Sequence, residues 1–477
     1  MNGQPTPVPP NWKTHPLAII VFLLVGIIAS YFVYRHTLSL GVQARIDAIH
    51  HAGFPATCAE LDKWYPQPPA GENAADVYGQ AFAHYQMWTN EADRLPVRAD
   101  AKDRRKSFTQ TKRDLLPIVG MAKLPPRTER LTLEMRKLVS EYLSDNAESL
   151  RVLHEASSMK SCRYPVDLSK GASMSLRHLN SLRQAARLLE LESIKNTEEQ
   201  HPQPAVESVV ASLGVSRSLN QEPTLISYLV RIACQGITLE SLERILNRMP
   251  LTDARLSRLA AGIQESENQQ VFTRAFVGER CMHVDVFQGL RTENIFLKEI
   301  SDGARDEDVL WLRIRRATGL LELDETACLD IMERNVYATQ LLPPESIAAS
   351  HAVADKVQRL APWHLFSRML LRELDMVFSK AARCDAKIRD AQAALAVERY
   401  RLANGKLPGQ LGDLVPAFLP SVPSDPFDGK PLRYKTLTKG YVVYSVGDDR
   451  EDNGGAEKDS KGISWVPGTD IAFTVEQ

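Results

Sequence analysis

Four carboxylates fall within five positions, at Asp448, Asp449, Glu451 and Asp452, and the paired glycines Gly454 and Gly455 follow them. At neutral pH these groups repel one another. Hard oxygen ligands in a Gly-rich loop suit Ca²⁺, which accepts about six to eight carboxylate and carbonyl oxygens. An EF-hand is the wrong template, because counting from Asp449 puts Glu451 third and Ser460 where the bidentate Glu belongs. The plain alternative is a solvated acidic turn. A second constellation lies in "CMHVDVF". As a strand it would put Cys281, His283 and Asp285 on one face, the arrangement a zinc-type hydrolase centre needs. As a helix it turns His283 nearly opposite to the other two. The flanks "VFTRAFVGER" and "LRTENIFLKEI" read as helix. His154, His178 and His364 stand alone and read as packed or solvated. Glu240 and Glu243 read as surface charges. The sequence contains no P-loop, Rossmann glycine fingerprint, H-E-x-x-H or G-x-S-x-G.

The elements that must position these groups change type along the chain. From about Leu131 to Ala403 the apolar period is helical. Leu176, Leu179, Leu182, Ala186 and Leu189 form one stripe, with Arg177, Arg183 and Arg187 on a solvated face. A further run carries Ile226, Leu229, Val230, Ala233 and Ile237. Pro202, Pro223, Pro250 and Pro343–Pro344 punctuate the region as helix boundaries. The pattern predicts an irregular array of about eight to ten helices without a fixed repeat. Near the C-terminus, a helix from about Asp385 should stop at Asn404–Gly405. A helical turn at "QLGDLV" follows, and "PLRYKT" and "YVVYSV" form an antiparallel hairpin around "LTKG".

One segment is unlike the rest. Pro16 to Tyr34 holds 19 residues with no charge, about 28 Å of helix against a hydrocarbon core of ~30 Å. Tyr31 and Tyr34 suit an interface belt. The stretch is long for a signal peptide and no clear A-x-A site follows, so it reads as a retained anchor. Lys13 precedes it while Arg35 and Arg45 follow, so charge does not set the orientation. The whole chain has 58 basic and 59 acidic residues, and that balance gives no general pull toward nucleic acid. The six cysteines are far apart with no C-x-x-C and read as isolated buried thiols.

The C-terminal segments also occur in a familiar order. Asn404, Gly405 and Pro408 end a helix; Asp425, Pro426, Phe427, Gly429, Pro431 and Tyr434 follow; then come Tyr444, Ser445, Gly447 and Asp449 before the acidic loop. This order resembles the globular part of the major pseudopilin of type II secretion systems, over about a fifth of the chain. The resemblance implies a small α+β module whose loop binds calcium through Asp449, Asp452 and Asp470, and a body outside the cytoplasmic membrane. The chain departs from that family in three ways. Its apolar span lies some 350 residues upstream of the module, "THPLAIIVFLL" lacks the family's Glu near the processing site, and "GAEKDSKGISWVP" lengthens the loop.

The expected organisation is a Pro-rich tail (1–15), a transmembrane helix (16–34), a linking region with helices (35–130), a helical extracytoplasmic domain (131–384) and a pseudopilin-like domain (385–477). The fold class is mainly α with a small α+β C-terminal domain. The expected function is that of a single-pass protein of the inner membrane with a structural or interaction role, meeting secretion or pilus-like envelope proteins. An envelope hydrolase with its site near His283 is the alternative.

Overall fold

The computed structural model describes residues 16–88, 112, 114–292, 306–456 and 469–477; the Pro-rich tail lies outside them. Helix α1 (Pro16–His51) is followed by α2 (Cys58–Trp64) and α3 (Ala74–His84). The array continues with α4 (Leu133–Asp145), α5 (Ala147–Ser158), α6 (His178–Glu198) and α7 (Pro202–Arg217). Next come α8 (Leu225–Arg248), α9 (Asp253–Ser266), α10 (Gln269–Thr292) and α11 (Asp306–Thr318). Helices α12 (Leu320–Thr339), α13 (Glu345–Gln358), α14 (Leu365–Leu370) and α15 (Asp375–Asn404) complete it. Between residues 133 and 404 the described residues form twelve α-helices. The excess over the eight to ten expected includes short pieces such as α14, which carry too few turns for an apolar period to show.

Local chemistry accounts for many of the boundaries. Thr57, Asn73, Thr132 and Thr224 each accept a backbone N–H of the following first turn, which satisfies an otherwise orphaned donor. Pro202 opens α7, where its missing N–H costs nothing. Gly405 ends α15 at φ 67°, and its N–H reaches the carbonyl of Arg401. The stripe of α6 is buried at Leu179, Leu182, Ala186 and Leu189, while Arg177, Arg183 and Arg187 are exposed.

Among the described residues, two helices are long and apolar enough to cross a membrane. They differ in burial. Every described side chain of α1 from Ile19 to Tyr34 is exposed, whereas α8 carries Arg231 and Arg244 and packs into the body. Helix α1 does not end with its apolar span. It runs unbroken to His51, and beyond Tyr34 it lies against α12, where Val42 and Ile49 pack with Val284 and Leu329. Arg35 grips Glu322 through two hydrogen bonds of 2.9 and 2.6 Å, and Arg45 grips Asp330 at 2.7 and 2.9 Å. Because both partner numbers rise together, α1 and α12 run in the same direction.

The C-terminal sheet has strands β1 (Arg433–Thr436), β2 (Tyr441–Ser445) and β3 (Ile471–Val475), in that order and all antiparallel. The expected hairpin is present, with Thr436 opposite Tyr441. Gly440 turns it at φ 77°, and a Cβ there would sit 1.7 Å from the Val475 carbonyl oxygen, so only glycine fits. Strand β2 is buried throughout, and the Tyr441 hydroxyl donates to the Ala394 carbonyl at 3.0 Å.

Under the sheet runs α15, which begins at Asp375, ten residues before the helix expected from Asp385. Its alanines 381, 382, 386, 391, 393, 394 and 396 are all buried, so it can be surrounded closely on several sides. One core joins Val206, Leu242 and Leu259 of α7–α9 to Ala394 and Leu395 of α15 and to Val443 and Phe473 of the sheet. Helix α8 also covers the outer edge of β3. Asn247 donates to the Thr474 carbonyl at 2.7 Å, and the Thr474 N–H donates to Glu243 at 2.7 Å. Glu243 is thus a partly buried edge cap, paired with Arg127 as well, and not the surface charge expected. An open strand edge is a site for unwanted pairing, and these side chains close this one.

Candidate functional site

Strand β2 delivers its C-terminal end into the acidic loop through a buried anchor. Asp425 accepts from the backbone N–H groups of Phe427 and Val446, both at 2.9 Å, from the Ser445 hydroxyl at 2.8 Å and from Arg433 at 2.5 Å. Every oxygen of this fully buried carboxylate is satisfied. It ties the loop 425–431 to the point where β2 ends. Gly447 then turns the chain at φ 71°.

Beyond that turn, the four clustered acids have separate tasks. Asp448 pairs with Arg383 of α15 at 2.5 Å. Asp449 accepts the Glu451 N–H at 3.1 Å, a local turn contact. Asp452 accepts from the Tyr444 hydroxyl at 3.0 Å and from the Gly454 N–H at 2.9 Å. Glu451 is exposed. Asp470, at the start of β3, accepts the N–H groups of Asn453 at 3.3 Å and Gly455 at 2.7 Å, and its own N–H donates to the Ala456 carbonyl at 3.0 Å. Thus Asp470 clamps the two ends of the loop together. Burial raises its pKa, the backbone donors work against that, and the neighbouring Asp452 raises it further. The Tyr444 hydroxyl is pushed up to about 12 by burial and by Asp452.

Of the three expected ligands, Asp452 and Asp470 share one loop framework, and Asp449 holds a turn beside it. Their donors are hard oxygens, which is the chemistry calcium requires. Among the described residues no group of three or more His, Cys, Asp or Glu side chains is gathered to hold a metal ion. Of the insertion at 455–467, residues 457–467 lie outside the described residues.

The "CMHVDVF" constellation is helical, and its three residues face three different neighbours. The Cys281 thiol donates to the Pro55 carbonyl at 3.2 Å. His283 is buried with Cys328 at 3.8 Å and Glu279 at 3.4 Å. Burial pulls its pKa down, and Cys328 and Glu279 outweigh that, to about 10. Asp285 lies against Gly171. No zinc-type centre forms from these residues. All six cysteines are free and buried.

Two of the lone histidines are packed against carboxylates distant in sequence, and the third, His364, lies 4.0 Å from Asp324. His154 meets Glu192 at 2.8 Å, and His178 meets Glu222 at 3.0 Å and stacks on Tyr164. Beside Arg315, the carboxylate of Asp324 accepts the N–H groups of Phe366 and Ser367, both at 3.0 Å, and so holds the start of α14. No spacing in the sequence points to these pairs.

A cavity of about 230 Å³ opens between α8, α10, α15 and the segment before α13. Tyr228, Phe272 and Phe378 form its aromatic wall, and Arg231 and Asp385 its polar one. Buried Arg231 already donates to Asn220 at 2.8 Å, to Gln235 at 3.3 Å and to the Ser266 carbonyl. Burial raises Asp385 to about 6. The volume is below the ~300 Å³ at which ligand clefts usually begin. No family model, curated protein or solved structure matches the chain.

Proposed function

We propose that the chain is a membrane-anchored cell-envelope protein with a structural or interaction role, held by residues 16–34 in the cytoplasmic membrane with its bulk on the extracytoplasmic side. The observation that carries this reading is α1: its apolar stretch is exposed from Ile19 to Tyr34, and the same helix continues without a break into the body. Two bidentate arginine pairs fasten it there. A helix so built passes displacement from membrane to body, which suits a scaffold. The extracytoplasmic side follows from the resemblance of residues 385–477 to the major pseudopilin. In this reading the loop takes Ca²⁺ through Asp449, Asp452 and Asp470, which offsets the repulsion between Asp452 and Asp470, and the partner is a secretion or pilus-like envelope protein.

Two measurements test it. Resistance to carbonate extraction is expected of a spanning anchor, and release into the soluble fraction would refute the anchor. Affinity capture of the full chain from membranes, with calcium or with chelator, should recover an envelope secretion component only with calcium. Recovery of none in either condition counts against the partner. In the purified protein, saturating calcium at about a hundred times Kd adds ~2.7 kcal/mol of stability. The double variant Asp452→Asn, Asp470→Asn should lose that increment.

A further inference from the structure

The end of the apolar span is not free of the body. The Tyr31 hydroxyl donates to the Ala317 carbonyl at 2.8 Å, and Gly319 lies against Tyr34, Arg35 and Leu38. The C-terminal end of α11 is therefore held at the level where α1 passes from uncharged residues to Arg35. If α1 spans a bilayer, that level is the membrane–water interface.

Helix α11 presents a solvent face that is apolar where a surface helix should be polar. Leu310 is 60% exposed, Trp311 47% and Ile314 49%. Leu310, Ile314 and Ala317 are spaced four and three apart, so they share one side, with Arg313 exposed at its flank. The opposite side is buried at Leu312 and Arg315. Arg315 ties the backbone of a second tryptophan to this helix: its guanidinium lies over the Trp311 ring at 4.7 Å and donates to the Trp363 carbonyl at 2.5 Å. Trp363 is itself 51% exposed. Exposed tryptophans, aliphatic residues and a flanking arginine are the make-up of a helix that lies in a headgroup layer.

Distance decides what covers this face. Ile314 is three residues from Ala317, about 4–5 Å along the helix axis, and Leu310 is seven away, about 10 Å. The interfacial layer is itself about 5–10 Å deep. Whatever the tilt of α11, Ile314 stays within about 5 Å of the level of Ala317 while Ala317 is bound to Tyr31, a distance no greater than the depth of that layer. We propose that the Leu310–Trp311–Ile314 face, with Trp363, is a lipid-contacting surface that seats the body on the leaflet from which α1 emerges. Arg313 would meet anionic headgroups there. The proposal rests on the anchor reading above, and its test separates the two.

The test places an environment-sensitive fluorophore on single introduced cysteines in the full chain, reconstituted into vesicles of phosphatidylcholine and phosphatidylglycerol. The native thiols are buried. The positions are Ile314→Cys, Leu310→Cys, Ile27→Cys within the span, and Leu402→Cys, exposed on α15 beside the sheet module. Lipids carrying a quencher near the headgroup should remove most of the emission at 314 and 310 and leave 402 unchanged. Lipids with a quencher deep in the acyl chains should extinguish 27. Quenching at 27 without quenching at 314 or 310 overturns the surface and leaves the anchor intact. Blue-shifted but unquenched emission at 314 means protein covers the face, and also overturns it. No quenching at 27 removes the anchor, and the surface with it.

Discussion

Asp390 and Asp425 are both fully buried beside the C-terminal sheet, yet their circumstances are opposite. Asp425 has every oxygen satisfied, whereas neither oxygen of Asp390 has a hydrogen-bond partner among the described residues. Burial, with Asp425 and Glu243 nearby, holds the pKa of Asp390 well above the carboxylate range. The folded chain thus keeps a proton that the unfolded chain releases above about pH 4. Stability must then fall as pH rises through that window, by up to about 1.4 kcal/mol per pH unit for one such group. Asp390→Asn keeps the shape and removes the titration, so denaturant melts between pH 5 and 8 should show a shallower loss. Glu190, raised to about 8 mainly by burial, has the same sign and leaves a residual slope. An unchanged slope would show that Asp390 is ionised in the fold. For Asp425 the prediction is a simple loss. Asp425→Ala leaves the Phe427 and Val446 N–H groups and the Ser445 hydroxyl without their acceptor, while Arg433 keeps Asp428, and should cost at least ~1–3 kcal/mol in equilibrium unfolding.

At the scale of elements, the join between α1 and α12 depends on two arginine pairs of unequal shielding. The Arg35–Glu322 side chains are 24% and 10% exposed, against 35% and 48% for Arg45–Asp330. Solvent screening leaves an exposed pair worth under ~1 kcal/mol, whereas loss of a sheltered acceptor costs ~1–3. Thermal melts in detergent should therefore drop clearly for Glu322→Ala and little for Asp330→Ala. Equal effects would mean that the pairs contribute through the helix contact alone. The hairpin of β1 and β2 was legible beforehand because its turn is local chemistry: Gly440 adopts a left-handed φ within four residues of both strands. The capping of β3 by Glu243 and Asn247 was not legible. Those residues precede the strand by more than 220 positions, and Glu243 taken alone looks like any helical surface charge.

For the whole molecule, the division at 384/385 falls inside α15, and the core beneath the sheet includes residues from α7, α8 and α9. Deletion of 385–477 would strip cover from Val206, Leu242 and Leu259 together. Each such side chain is worth about 1.5–3 kcal/mol when buried, so several exposed at once exceed a typical margin of 5–15 kcal/mol when the broken helix is added. The truncated chain is expected to lose cooperative unfolding and to aggregate, as judged by calorimetry and light scattering. A truncation that melts like the full chain would show that the module is an independent cap.

What the sequence determined by itself is what depends on neighbours a few residues away. The helical period fixes which side of α6 is buried, Thr, Asn and Pro mark where helices begin, Asn404–Gly405 stops α15, and an uncharged run defines the exposed part of α1. Tertiary structure decided everything that needs a distant partner. It turned Cys281, His283 and Asp285 toward three separate neighbours, made Asp470 a clamp across the acidic loop, left Asp390 unpaired in the core, and joined Arg35 to Glu322 across 287 positions. Periodicity records which face of an element is apolar. It holds no record of which charged group of another element will come to face it.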